Sequence, residues 1–155
     1  RQLKKYVNRD TLVLDVGTGS GILGITALKL GAKEVWGTDL DENAINAVRE
    51  NLEANSIPED RFHVLQGNII DQLSVKEWAG YGKYDVAVAN ILADVIILLV
   101  DEIPAHLKKG GIFITSGIID MKEEAVKEAF ARCRELEMVE ITYQGEWVSV
   151  TARRK

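Results

Sequence analysis

A chain of 155 residues, 46% hydrophobic and 28% charged, has the composition of a folded domain with a real core, which argues against a disordered segment. The net charge is −5, and basic residues are scattered apart from Lys4-Lys5, Lys108-Lys109 and Arg153-Arg154-Lys155. That balance argues against a nucleic-acid partner held through its phosphates and suits a basic substrate. The longest apolar run, around Val95 to Val100, is too short to cross a bilayer, and no stretch has the form of a signal peptide. Cys133 is the single cysteine, so it has no disulfide partner within the chain and reads as a buried thiol. A cytoplasmic protein without membrane contact is expected.

Residues 2–7 carry Leu3, Tyr6 and Val7 at helical spacing, and Asn8-Arg9-Asp10 breaks the pattern. Residues 11–16 form a nearly continuous apolar run, as in a strand buried on both faces of a parallel sheet. A helix over 20–30 follows, closed by Gly31, and then a second strand over 34–38 with Asp39 at its carboxyl end. Asp41 is placed to cap a helix over 42–55, whose Ala44, Ile45, Val48 and Leu52 share one face. A third strand is expected over 61–66, ended by Gly67-Asn68, and a short helix over 75–79. The fourth strand covers 84–89, a mostly helical stretch 91–107, and the fifth strand 112–115 after the stop Lys108-Lys109-Gly110-Gly111. Asp120 is placed to cap a helix over 121–133. Two final strands, 138–143 and 147–152, are separated only by Gln144-Gly145-Glu146, a hairpin-length connection. Strands alternating with helices imply an α/β fold with right-handed crossovers and a parallel sheet, to which the hairpin adds an antiparallel strand.

Ligands of open parallel sheets sit beyond the carboxyl ends of the strands. Asp15 to Gly21, Asp39, Gly67-Asn68 and Asn90 all fall at that edge. The glycines allow two readings. Gly19-Ser20-Gly21-Ile22-Leu23-Gly24 matches the dinucleotide fingerprint, with Asp39 about twenty residues on. In that fingerprint, however, the first glycine ends the strand, and here Gly17 does so. Counted from the strand, the pattern Asp15-x-Gly17-x-Gly19-x-Gly21 resembles the first motif of class I S-adenosylmethionine-dependent methyltransferases.

The resemblance narrows with Leu14 to Leu23, Asp39-Leu40-Asp41-Glu42-Asn43-Ala44 and Val88-Ala89-Asn90-Ile91-Leu92-Ala93. Together with the ending Gly145-Glu146-Trp147 and Thr151-Ala152-Arg153-Arg154, these are similar to PrmA, the family that methylates ribosomal protein eleven of the large subunit. The resemblance implies a three-layer, Rossmann-like, mostly parallel seven-stranded sheet of order 3-2-1-4-5-7-6. It implies S-adenosyl-L-methionine as cofactor and a large-subunit ribosomal protein as partner and substrate. Asp15, Gly17, Thr18, Gly19 and Gly21 would then pass under the methionine part, Asp39 would accept both ribose hydroxyls, and Asn68 would lie near the adenine. The family's pattern also holds an N-terminal substrate-recognition domain and a Gly/Thr/His-rich segment before the first strand. Neither precedes Arg1, so residues 1–155 are expected to be the catalytic domain of something longer.

The implied reaction moves a methyl group from a sulfonium to an amine nitrogen, of lysine side chains or of the N-terminus, with alignment and water exclusion as the main contributions. A lysine amine, with a pKa of about 10.4 in water, must be neutral to attack, and desolvation beside a sulfonium favours that. Asn90 is the expected catalytic residue and a cofactor neighbour, its amide oxygen orienting the nitrogen, with the Ile91 carbonyl as a second acceptor. No metal is expected. His63 and His106 read as structural, and Trp36, Trp78 and Trp147 as packing residues. The competing readings are a methyltransferase for another protein or a small molecule, an NAD-dependent oxidoreductase, and a cofactor-binding fragment inactive without its N-terminal domain.

Overall fold

The computed structural model describes residues 2–155 and organises them around one seven-stranded sheet. The strands are β1 (Leu12–Val16), β2 (Glu34–Asp39), β3 (Phe62–Gln66), β4 (Tyr84–Asn90), β5 (Leu107–Ile119), β6 (Leu136–Gln144) and β7 (Trp147–Arg154). The helices are α1 (Gln2–Tyr6), α2 (Ile22–Lys29), α3 (Asn43–Ala54), α4 (Leu73–Ala79), α5 (Ala93–Leu99), α6 (Ile103–His106) and α7 (Glu123–Arg132). Across the sheet the order is β3-β2-β1-β4-β5-β7-β6, the order the family resemblance implies.

Strands β1 to β5 run parallel because a helix carries the chain back before each next strand. The connection from β6 to β7 has no room for a crossover. Gln144 pairs with Trp147 across two residues, so β7 runs antiparallel, between β5 and β6.

Alternation along the central strands feeds two cores. Leu14, Val16, Ala87, Ala89 and Phe113 point to the layer of α4, α5, α6 and α7, where Phe113 and Phe130 lie with ring centroids 5.8 Å apart. Val13, Val35, Val86, Val88 and Ile114 point to α1, α2 and α3. Asp15 shares the second face with Val13 and is the polar residue of an otherwise apolar strand, 1% exposed. Among the described residues no helix is long and apolar enough to cross a membrane.

Three local expectations are corrected. The stretch 91–107 is two short helices, α5 and α6: Pro104 has no N–H to carry the hydrogen-bond ladder of α5 onward and is tolerated in the first turn of α6, where no such bond is made. Strand β5 begins at Leu107 rather than 112: Leu107 pairs with Tyr84, the glycine-containing stretch Lys108–Gly111 protrudes, and pairing resumes between Val86 and Ile112. It also runs on to Ile119 through a second irregularity, so Asp120 opens a 3-10 turn and Lys122 occupies the cap position of α7.

Candidate active site

The carboxyl ends of β1, β2, β3 and β4 bring the candidate residues to one edge. The turn after β1 is folded back on β2: the Thr38 carbonyl accepts the N–H groups of Gly17 (2.8 Å) and Thr18 (3.1 Å). The Thr18 hydroxyl is buried beneath the turn and donates to the Asp15 carbonyl at 3.1 Å. Thr18 therefore shapes the loop from inside. From α3, the Asn51 amide donates to the Ser20 carbonyl at 2.8 Å and fixes the far side.

The three alternate glycines do different work. A Cβ on Gly17 would strike the Ile91 side chain, so Gly17 lets the loop after β4 press against the loop after β1. Gly21 faces Val48, Ile25 and Phe62 and permits close packing of α2. Gly19, at φ +58°, has nothing within 4 Å of its would-be Cβ and offers bare backbone to a ligand.

Asp39 ends β2 beside that backbone. Its Oδ2 accepts the Gly19 N–H at 2.7 Å and its Oδ1 accepts the Asp41 N–H at 2.9 Å. Each oxygen of a carboxylate has two lone pairs, so one on each remains for a vicinal diol. Asn68 follows β3 immediately after Gly67, whose N–H donates to the Asp39 carbonyl at 2.8 Å. The Asn68 side-chain oxygen accepts the Ile70 N–H at 2.9 Å, leaving its amide N–H₂ as the group it can offer a ligand.

Asp15 lies beneath the loop. Burial pushes its carboxyl up to about 7, with the Gly24 N–H of the first turn of α2 pulling the other way and Asp39 adding to the rise. Its Oδ2 is buried without a hydrogen-bond partner. A carboxyl in that position answers the positive end of α2, whose cap residue Gly21 contributes no side-chain hydrogen bond.

Asn90 is exposed at the end of β4, in register with Ser116 of β5. From it a cavity of about 780 Å³ opens toward the β6–β7 hairpin, with Leu23, Val88, Ser116, Tyr143 and Trp147 in its walls. Among the described residues no charged side chain lines it. Asn90 thus stands between the glycine loop, reached through Ile91 against Gly17, and a cavity whose walls are mostly apolar with polar side chains among them.

Trp147, read from sequence as a packing residue, is half exposed and belongs to this wall. The signal was available: a hairpin strand entering antiparallel beside β5 starts where β5 ends, and Trp147 pairs with Ile119. His63 and His106 stay outside the cavity. His63 Nε2 is 2.9 Å from Glu34, and His106 is buried between the Gly80 carbonyl (2.6 Å) and Glu102 (2.7 Å). Trp36 packs on His63 and Trp78, with centroid separations of 4.4 and 4.9 Å. Among the described residues no three His, Cys, Asp or Glu side chains are grouped so as to hold a metal ion.

Known proteins resemble the chain in sequence and in fold. A ribosomal protein L11 methyltransferase of Lachnospira eligens is 57% identical over 155 residues, all of this chain and 49% of that protein. The crystal structure of ribosomal protein L11 methylase from Lactobacillus delbrueckii subsp. bulgaricus superposes with a TM-score of 0.86 at 31% identity, covering 99% of this chain and 74% of that one. A SAM-dependent methyltransferase from Aquifex aeolicus shares the fold, with a TM-score of 0.80 at 16% identity over 99% of this chain and 88% of that one. The chain spans about half the length of the curated relatives it matches. The sequence pattern of the family described as ribosomal protein L11 methyltransferase (PrmA) matches residues 1–155, and the chain belongs to that family.

Proposed function

We propose that residues 1–155 form the methyl-transferring domain of a protein N-methyltransferase that uses S-adenosylmethionine and acts on amines of large-subunit ribosomal protein L11, in the cytoplasm. The observation that carries the reading is the placement of Asn90 between the Gly19–Asp39 edge and a cavity that no charged side chain lines among the described residues. The residues present fit the cofactor: Gly19 leaves bare backbone, Asp39 keeps a lone pair on each oxygen for a ribose diol, and Asp15 holds an unpartnered buried oxygen under the loop. A carboxylate at the ribose position repels a 2′-phosphate and suits two free hydroxyls.

When bound, the cofactor supplies an electrophilic methyl group on a sulfonium. Gly19, Asp39 and Asn68 would hold it, and it would supply its methyl to the amine lone pair while the C–S electron pair stayed on sulfur and the acceptor's extra proton left to water. Asn90 accepts a hydrogen bond from the amine through its side-chain oxygen and so aims the lone pair. The cavity walls are largely apolar and, among the described residues, carry no carboxylate that would hold the amine as an ammonium, which favours the neutral nucleophile. No general base is required at the moment of attack, and neither histidine is placed to be one.

Titration calorimetry with S-adenosylhomocysteine and with NAD tests the cofactor, and methyl transfer from labelled S-adenosylmethionine to ribosomal protein L11 by the full-length protein tests the substrate. Binding of the homocysteine compound without NAD, together with label on the protein, is the expected result. Affinity for NAD alone would overturn the reading.

A further inference from the structure

Strand β5 is irregular beside Asn90. Its ladder with β7 pairs Thr115 with Val150 and resumes at Ile118 with Val148, so Ser116 and Gly117 together oppose Ser149. This is a bulge, and the extra residue lets the strand turn a backbone segment toward the site. The bulge is pinned on its β7 side. The Ser149 hydroxyl donates to the Thr115 carbonyl at 2.6 Å, and the Thr115 hydroxyl, fully buried, donates to the Val150 carbonyl at 2.9 Å.

Gly117 sits in the bulge at φ +78°. The space its Cβ would fill is taken by Asn90: the first atom met is Asn90 Oδ1, with Asn90 Cγ at 3.5 Å and the Ile91 carbonyl oxygen at 3.9 Å. The Asn90 carboxamide therefore rests on bare backbone, and its oxygen is seated by the bulge, not only by its own strand.

We infer that Gly117 is a positioning residue: held by Thr115 and Ser149, its bare backbone fixes where the Asn90 side-chain oxygen stands and so the direction from which an acceptor nitrogen presents its lone pair. The inference rests on the proposed role of Asn90. Any L side chain at Gly117 displaces that oxygen, and in-line transfer is sensitive to displacements of this order.

Two readouts test this in the full-length protein. In Gly117→Ala, kcat for methyl transfer falls by about 100-fold while S-adenosylhomocysteine affinity stays within about twofold, since a misplaced orienting group acts on alignment and not on cofactor binding. The double variant Gly117→Ala/Asn90→Ala is no slower than Asn90→Ala alone, as expected when one residue acts through the other. Independently of turnover, the Asn90 carboxamide resonances of the S-adenosylhomocysteine complex shift in Gly117→Ala. Ser149→Ala, which removes the pin without adding atoms, shifts the same resonances and lowers kcat more mildly. It serves where Gly117→Ala folds poorly. Losses that multiply in the double variant, or unmoved Asn90 resonances in a folded Gly117→Ala or in Ser149→Ala, overturn the inference alone. Full turnover in Asn90→Ala overturns the role of Asn90 and the inference with it.

Discussion

The Asp39 carboxylate accepts the Gly19 N–H at 2.7 Å, so the residue proposed to hold the ribose also ties the glycine loop to the end of β2. Asp39→Ala removes both functions at once. Hydrogen bonds to a charged group contribute roughly 1.5–3 kcal/mol, which corresponds to S-adenosylhomocysteine binding about 10- to 100-fold weaker. Asp39→Asn keeps one acceptor oxygen and turns an amide N–H₂ toward either a backbone N–H or the diol, and it binds with intermediate affinity. Calorimetry on the three proteins checks the order, and equal affinity in wild type and Asp39→Ala contradicts the ribose assignment.

Asp15 gives the fold a pH dependence. Its carboxyl is raised from 3.8 to about 7, chiefly by burial. Between those values the native protein keeps a proton that the unfolded chain has released, so stability falls as pH rises from about 4 to about 7 and levels off above. The gap corresponds to about 4 kcal/mol when fully developed. Asp15→Asn keeps an oxygen for the Gly24 N–H and does not ionise. Its stability gain over wild type, measured by denaturant unfolding, is therefore larger at pH 8 than at pH 5. A difference that is flat across that range contradicts the assignment.

What the sequence made legible follows from how each residue's job is encoded. Strands β1 and β4 announce themselves because they are buried on both faces, and Leu12–Val16 and Tyr84–Asn90 are apolar almost throughout. Asp15, the glycines and Asp39 stand out because two carboxylates and three alternate glycines interrupt runs that are otherwise apolar. The division of labour among Gly17, Gly19 and Gly21 was invisible, since it depends on Ile91, Val48 and Phe62 arriving from elsewhere in the chain. The same holds for Gly117, whose neighbour Asn90 is 27 residues away in sequence and adjacent only through the β4–β5 ladder. Trp147 was read as packing although its place at the start of a hairpin strand that enters where β5 ends pointed to the edge of the site.

Gly24 tests how closely α2 approaches the sheet. A Cβ built there falls onto the Phe62 ring and lies 3.0 Å from a Val35 methyl, both in the core of that face. Alanine has the higher helix propensity, worth about 1 kcal/mol in an exposed helix, but overpacking a filled core costs about 1–3 kcal/mol. The steric term wins because a buried aromatic ring cannot yield without moving α2. Gly24→Ala is destabilised, with a lower midpoint in denaturant and an unchanged slope, and the double variant Gly24→Ala/Phe62→Leu recovers part of the loss. A more stable Gly24→Ala would mean that the helix stands further from β2 and β3 than these contacts imply.

Trp147 tests the proposal that the cavity beside Asn90 receives the acceptor. It is 50% exposed, lines the cavity with Asn90 and Tyr143, and touches none of the Gly19, Asp39 and Asn68 edge in the cavity wall. A substrate segment entering there covers the indole, and burying an aromatic face contributes about 1.5–3 kcal/mol. Trp147→Ala therefore lowers kcat/KM for the protein acceptor by about 10- to 100-fold, mostly through KM, because the indole contacts the bound acceptor equally before and during transfer. S-adenosylhomocysteine affinity is unchanged, and Trp147→Phe retains most of the activity by keeping an apolar wall. The distinguishing measurement is steady-state kinetics with the acceptor protein varied at saturating cofactor. A fall in cofactor affinity of the same size would place the indole on the cofactor's side of Asn90 and remove the cavity's role as the acceptor chamber.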